Sequence, residues 1–196
     1  MKKLLALCLC LVGLTVLPQS RDDSSLELTL NPGSSLTLDL SAGDYKIEAG
    51  QVDRLFITAR PRNRDDRAKV RFGVNANKTE ATVKVDGPKN FKATIEIPQH
   101  MNLNVRMTAG RLVLDHIQGN KDIESIAGEL DINVGKADDY RSVHASVEAG
   151  GIDASAFQGQ KGGLFRSFDS QGPGLYRLRV HVGAGQIRLF TAEDVL

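Results

Sequence analysis

Apolar and polar residues alternate in short runs along most of this chain: LELTL at 26–30, SLTLDL at 35–40, ATVKV at 81–85, ATIEI at 93–97, LNVRM at 103–107 and LRVHV at 178–182. A period of two places every second side chain on one face, which is the mark of a half-buried strand. No segment sustains a 3.6-residue period. The pattern predicts an all-β protein.

Five of the six Ala-Gly pairs stand between one alternating run and the next with the same spacing: Ala42-Gly43, Ala109-Gly110, Ala127-Gly128, Ala149-Gly150 and Ala184-Gly185. Before each glycine the apolar residues fall at odd offsets, as in Leu103, Val105 and Met107; after it they fall at even offsets, as in Leu112 and Leu114. The third copy is degenerate, with Lys121, Ile123 and Ser125 in the odd places. A phase slip of one residue would turn a straight strand inside out. A bulge or corner absorbs it, and glycine takes the positive φ that such a corner needs, with alanine expected on its crowded inner side.

The glycines at 110, 128 and 150 are spaced by 18 and 22 residues, and the next interval is 35. Intervals near twenty predict stacked rungs, and hence a β-solenoid-like region over about 101–190. The long interval, with QGQKGG and DSQGPG around LFRSF, reads as a decorated loop. Residues 26–100 hold a charged stretch and hairpin-like strands near 70–74, 79–85 and 91–97, which predict an antiparallel, sandwich-like lobe continuous with the rungs.

The first twenty residues change the picture of where the chain works. MKK followed by the apolar run Leu4–Leu17 and a small Ser20 predicts a signal peptide over 1–20, leaving 21–196 as a single elongated domain. Both cysteines, Cys8 and Cys10, lie in that leader, so the body has no disulfide or thiolate chemistry. Lysine and arginine number 25 against 24 acidic residues, a balance that gives no reason to expect nucleic acid. These features predict export to a bacterial periplasm or cell surface, with membrane contact only through an uncleaved leader.

The blocks SLTLDLSAGDYKIEAGQVDRLFITA at 35–59, IEIPQHMNLNVRMTAGRLVLDHIQGN at 95–120, IAGELDIN, VEAGGIDA and HVGAGQIRLF resemble the bacterial putative-adhesin family of β-strand-repeat proteins, a domain of unknown function. Family members carry Ser-Gly-Asp copies; here Ala-Gly replaces Ser-Gly, and only Gly43 is followed by aspartate. The resemblance implies an exported β-solenoid-like fold and no established activity or catalytic residues.

Candidate chemistry is thin. RPRNRDDRAKVR places six basic residues between positions 60 and 71, a patch for anionic glycan or lipid, or a solvated hairpin loop, the favoured reading. Asp131 and Asp153 share an offset in successive copies and are expected to stack on one outer face, for solubility. With Arg111 they are the nominees for a small carbohydrate-acting enzyme, the alternative to a binding role. His100, His116, His144 and His181 lack metal-ligand spacing, and Gly135-Lys136 is not a phosphate loop. Phe165, Phe168 and Tyr176 read as a cap over an open end, or as a stacking surface for sugar. The expectation is a non-enzymatic envelope scaffold or adhesin-like surface, with no cofactor, no metal site and an envelope protein or glycan as partner. An accessory role in envelope-stress sensing is a further alternative.

Overall fold

The structure is a computed structural model that describes residues 24–192, except 32, 52, 78, 89 and 90. The leader expected at 1–20 lies outside the described residues. The chain is all-β: β1 (Ser25–Thr29), β2 (Ser35–Leu40), β3 (Gly43–Ala49), β4 (Arg54–Arg60), β5 (Arg71–Ala76), β6 (Glu80–Asp86), β7 (Lys92–Ile97), β8 (Asn102–Asp115), β9 (Lys121–Asn133), β10 (Tyr140–Ala154), β11 (Gly159–Gln171) and β12 (Tyr176–Phe190). All of them belong to one open, mixed, twelve-stranded sheet. Among the described residues no helix is long and apolar enough to cross a membrane.

The long strands are folded, and chain length shows why. β8 and β9 run parallel in continuous register, Leu103 beside Lys121 and Leu114 beside Ile132. Only residues 116–120 join them, a reach of about 18 Å, whereas a straight β8 would be about 46 Å long. β8 must therefore double back on itself to deliver the chain to the start of β9. The burial pattern agrees, because Leu103, Val105 and Met107 before the glycine and Leu112 and Leu114 after it all enter one core.

The fold line is a ladder of glycines. Gly43, Gly110, Gly128, Gly185 and Gly150 sit side by side across β3, β8, β9, β12 and β10, and Gly163 of β11 extends the line. Gly110, Gly128, Gly150 and Gly185 have φ between +120° and +148°. A Cβ at Gly110 would lie 2.0 Å from the Gly43 carbonyl oxygen. Gly43 is different: its φ is ordinary, and what excludes a side chain is the ring of Phe91. The paired alanines also differ from expectation, being half-buried or exposed on the outer side of the corner.

Both halves of the sheet share this corner. β2 pairs with the first half of β8 and β3 with the second half, so β2–β3 is one folded unit interrupted at the fold line. β6 and β7 form another beyond it, parallel to β2 and β3. This corrects the hairpin expected between the strands at 79–85 and 91–97, which do not pair with each other. Antiparallel pairing in residues 26–100 is confined to β1, β4 and β5 at the edge, so the N-terminal part is not an antiparallel lobe.

Two further expectations change at the other end. The 35-residue interval is not a loop but holds β11, paired antiparallel along β10. β12 then inserts between β9 and β10, parallel to both, so spatial order departs from chain order. The regular rung succession expected over 101–190 is broken there. Phe168 packs near Phe157, which meets Tyr140 edge-on, and Tyr176 also meets Tyr140. Those rings cover the β11 end of the core, as a cap requires. Phe165 does not join them.

Candidate binding surface

Outward positions line up in rows across neighbouring strands, and their charges alternate. On the half before the corner, Lys84, Asp39, Arg106, Glu124 and His181 succeed one another from β6 to β12. On the half after it, Lys92, Asp44, Arg111 and Glu129 do the same. Arg106 reaches Glu124 at 3.1 Å and Lys92 reaches Asp44 at 3.7 Å. Opposite charges on adjacent strands each contribute a few tenths of a kcal/mol and penalise a slipped register.

The enzyme nominees are spent in this network. Asp131 is only 6% exposed and accepts from Arg111 Nε at 3.0 Å and Nη2 at 2.5 Å, with Arg188 Nη1 at 3.6 Å. The Asp131 hydrogen bond raises the Arg111 pKa further above its ordinary value. Asp153 shares the row, but Arg188 of β12 stands between it and Asp131. The insertion of β12 thus prevents the two carboxylates from stacking. Asp131→Ala is expected to cost about 1–2 kcal/mol, read as a shift of the urea midpoint. An unchanged midpoint would show that solvent already screens the Arg111 pair.

The basic stretch at 60–71 is not a hairpin loop either. Its centre, Arg64–Lys69, is a 3-10 turn carrying the chain over the corner from β4 to β5, strands that do not pair with each other. Lys69 bonds Asp66 at 2.6 Å, so part of the charge is neutralised internally. Of the four histidines, His116 contacts Asp115, His144 contacts Asp169, and His181 contacts Ser146. No group of three or more metal-capable side chains gathers among the described residues. Ser146 and His181 face each other across β10 and β12.

Along the outer corner the side chains change character. Ile126 of β9, Gly183 of β12, Glu148 of β10 and Phe165 of β11 follow one another just before the glycine line. Gly183 leaves a gap in this ridge, which opens a groove of about 900 Å³ bounded by Ile126, Leu164 and Phe165. These three are exposed at 70%, 66% and 81%. A Cβ at Gly183 would lie 2.6 Å from the Ile126 carbonyl oxygen, so the floor is bare by necessity. His181, Glu124 and Glu148 stand at the rim. The residue patterns alone did not reveal this groove, because its walls come from strands whose spatial order the sequence does not show.

No family model and no curated protein matches the chain. Among solved structures it is similar to a putative cell adhesion protein from Clostridium sporogenes, at 11% identity and a TM-score of 0.55, over 84% of this chain and 97% of that one. A putative adhesin from Parabacteroides merdae is 16% identical with a TM-score of 0.32, over 56% of this chain and 51% of its own. A further putative adhesin, from Parabacteroides distasonis, is 14% identical with a TM-score of 0.24, over 57% and 52%. The Clostridium protein shares the fold, in agreement with the resemblance read from the repeats.

Proposed function

We propose that the chain is an exported, non-enzymatic cell-envelope protein whose folded sheet presents an adhesin-like binding surface. The observation that carries this reading is the corner groove, with three large apolar side chains held in water by a sheet paired on both sides of the fold. Exposed apolar side chains in a rimmed cluster on a rigid framework suit contact with a partner. The paired state of Asp131 and Arg111 supports recognition over catalysis. The likeness to a solved putative cell adhesion protein supports the same reading.

Two measurements test it. The full chain with a C-terminal tag, expressed in a bacterial host, is expected in the periplasmic or envelope fraction. The purified protein, labelled, is expected to bind envelope preparations saturably. Retention in the cytoplasm together with no saturable binding would overturn the proposal.

A further inference from the structure

We propose that the corner groove binds a neutral saccharide, stacked on Phe165 and held by a hydroxyl shared between Glu148 and His181. The inference rests on the adhesin-like reading and names the ligand class for that surface.

Phe165 is the first observation. Its φ is +49°, a conformation that is a true outlier for a bulky residue and normally costs on folding. The ring gains no packing in return, being 81% exposed. Glycine would relax the backbone there, and Gly162 and Gly163 lie three and two residues before it in the chain. Folding alone gives no reason for an aromatic ring at this place. A flat ring beside an apolar groove suits the C–H face of a pyranose, with polar groups needed around it to take the hydroxyls.

Those polar groups are the second observation. Glu148 and Phe165 lie between the same two rungs of the β10–β11 ladder, Val147 beside Arg166 and Ala149 beside Leu164. Ser146 Oγ lies 3.0 Å from His181 Nδ1, and His181 Nε2 lies 4.0 Å from Glu148 Oε1. With the serine hydroxyl donating to Nδ1, the Nε2–H faces the carboxylate across a gap too long for a direct hydrogen bond. One hydroxyl placed between them accepts from Nε2 and donates to Glu148. Both contacts can then be of ordinary length.

Charge selects the kind of sugar. Four carboxylates line the groove, on Asp39, Asp86, Glu124 and Glu148, against Lys84 and Arg106. Lys84 faces Asp86 at 3.4 Å and Arg106 faces Glu124 at 3.1 Å, so each cation already has a carboxylate beside it and the groove carries an excess of negative charge. Uronic or sulfated saccharides are therefore disfavoured. Cleavage is not implied by the serine and histidine: Ser146 lies mid-strand, paired on one side with Ser167 and on the other with His181. Its neighbouring backbone N–H groups serve those ladders and are not grouped to receive an oxyanion.

The experiment is calorimetric titration of the full protein with cellohexaose, maltohexaose and chitohexaose, and with oligogalacturonate as the anionic comparison. At least one neutral oligosaccharide is expected to bind, and oligogalacturonate is not. Phe165→Gly is expected to weaken binding at least about tenfold while leaving Tm unchanged or raised, since the substitution relieves the positive φ. Glu148→Gln is expected to weaken it about tenfold, and Arg177→Ala, on another part of the sheet, to leave it unchanged. Absence of binding to all three neutral probes, or full binding by Phe165→Gly, would overturn the assignment. Envelope binding that persists without any oligosaccharide binding sinks only the ligand class; loss of both sinks the adhesin-like reading as well.

Discussion

Gly128→Ala lowers stability by about 4–5 kcal/mol, against about 1–2 kcal/mol for Gly135→Ala. Both glycines have positive φ, +131° and +74°. The difference lies in what a Cβ would meet. At Gly135 nothing lies within 4 Å, so alanine adds backbone strain alone. At Gly128 the new carbon would sit 1.9 Å from the carbonyl oxygen of Gly110 and 2.9 Å from its nitrogen. Those atoms are backbone in the middle of the sheet, and moving them breaks the register with β3 on the far side. The same contact recurs between Gly185 and Gly128 and between Gly150 and Gly185. A push at one rung is therefore passed to the next. Urea unfolding of the two variants beside the parent measures the contrast, and costs within about 1 kcal/mol of each other would show that strain at positive φ, not the stacking of glycines, fixes the corner.

That glycine ladder was the most legible feature of the sequence. A phase slip of one residue repeated at Ala-Gly is a local signal, and the corner it demands is local too. Its alignment across strands also follows, because the copies share one pattern of inward residues. Less legible was anything depending on which strand lies beside which. β12 repeats the pattern of β8 as well as β10 does, so nothing in its residues says that it inserts between β9 and β10. β6–β7 is not legible as a folded unit because Gly87-Pro88 replaces Ala-Gly and the inward residues keep odd numbers on both sides, from Ala81 to Ile97. β11 was hidden by its glycines and by its place at the sheet edge, where one neighbour suffices and few side chains are buried. The groove inherits that difficulty: Ile126, Gly183, Glu148 and Phe165 are scattered in sequence and meet only through the strand order. The one available signal was Phe165 itself, an aromatic beside two glycines that the regular pattern did not use.

The degenerate third copy leads to the second large effect. Lys121 occupies an inward position where β8 has Leu103 and β12 has Leu178, and it is only 2% exposed. Its Nζ donates to Tyr140 Oη at 2.8 Å and to the Gly119 carbonyl at 3.1 Å, and the Tyr140 hydroxyl donates onward to Val134 O at 3.2 Å. Burial pushes the ammonium pKa down from 10.5 to about 8, with Asp139 opposing in part. The same burial raises the Tyr140 pKa, so the phenol stays protonated and remains an acceptor for the amine. Below pH 8 the lysine is charged in both the folded and unfolded chains, and the folded state carries the whole cost of burying it. Between about pH 8 and 10.5 the unfolded chain binds more protons, so stability rises with pH by up to about 3 kcal/mol from this group. Lys121→Met removes the charge while keeping an unbranched stem. The variant is expected to be more stable than the parent by about 1–2 kcal/mol at pH 7, the loss of the two hydrogen bonds offsetting part of the gain. Because the parent gains stability through the window and the variant does not, the difference should shrink as pH rises from 8 and vanish or reverse near 10.5. Tm measured for both proteins across pH 6–10.5 gives the comparison, in which titrations elsewhere cancel. A variant already less stable than the parent at pH 7 would mean that the hydrogen bonds to Tyr140 and Gly119 outweigh the cost of the buried charge, and that the third copy departs from the apolar pattern to secure the loop at Gly119.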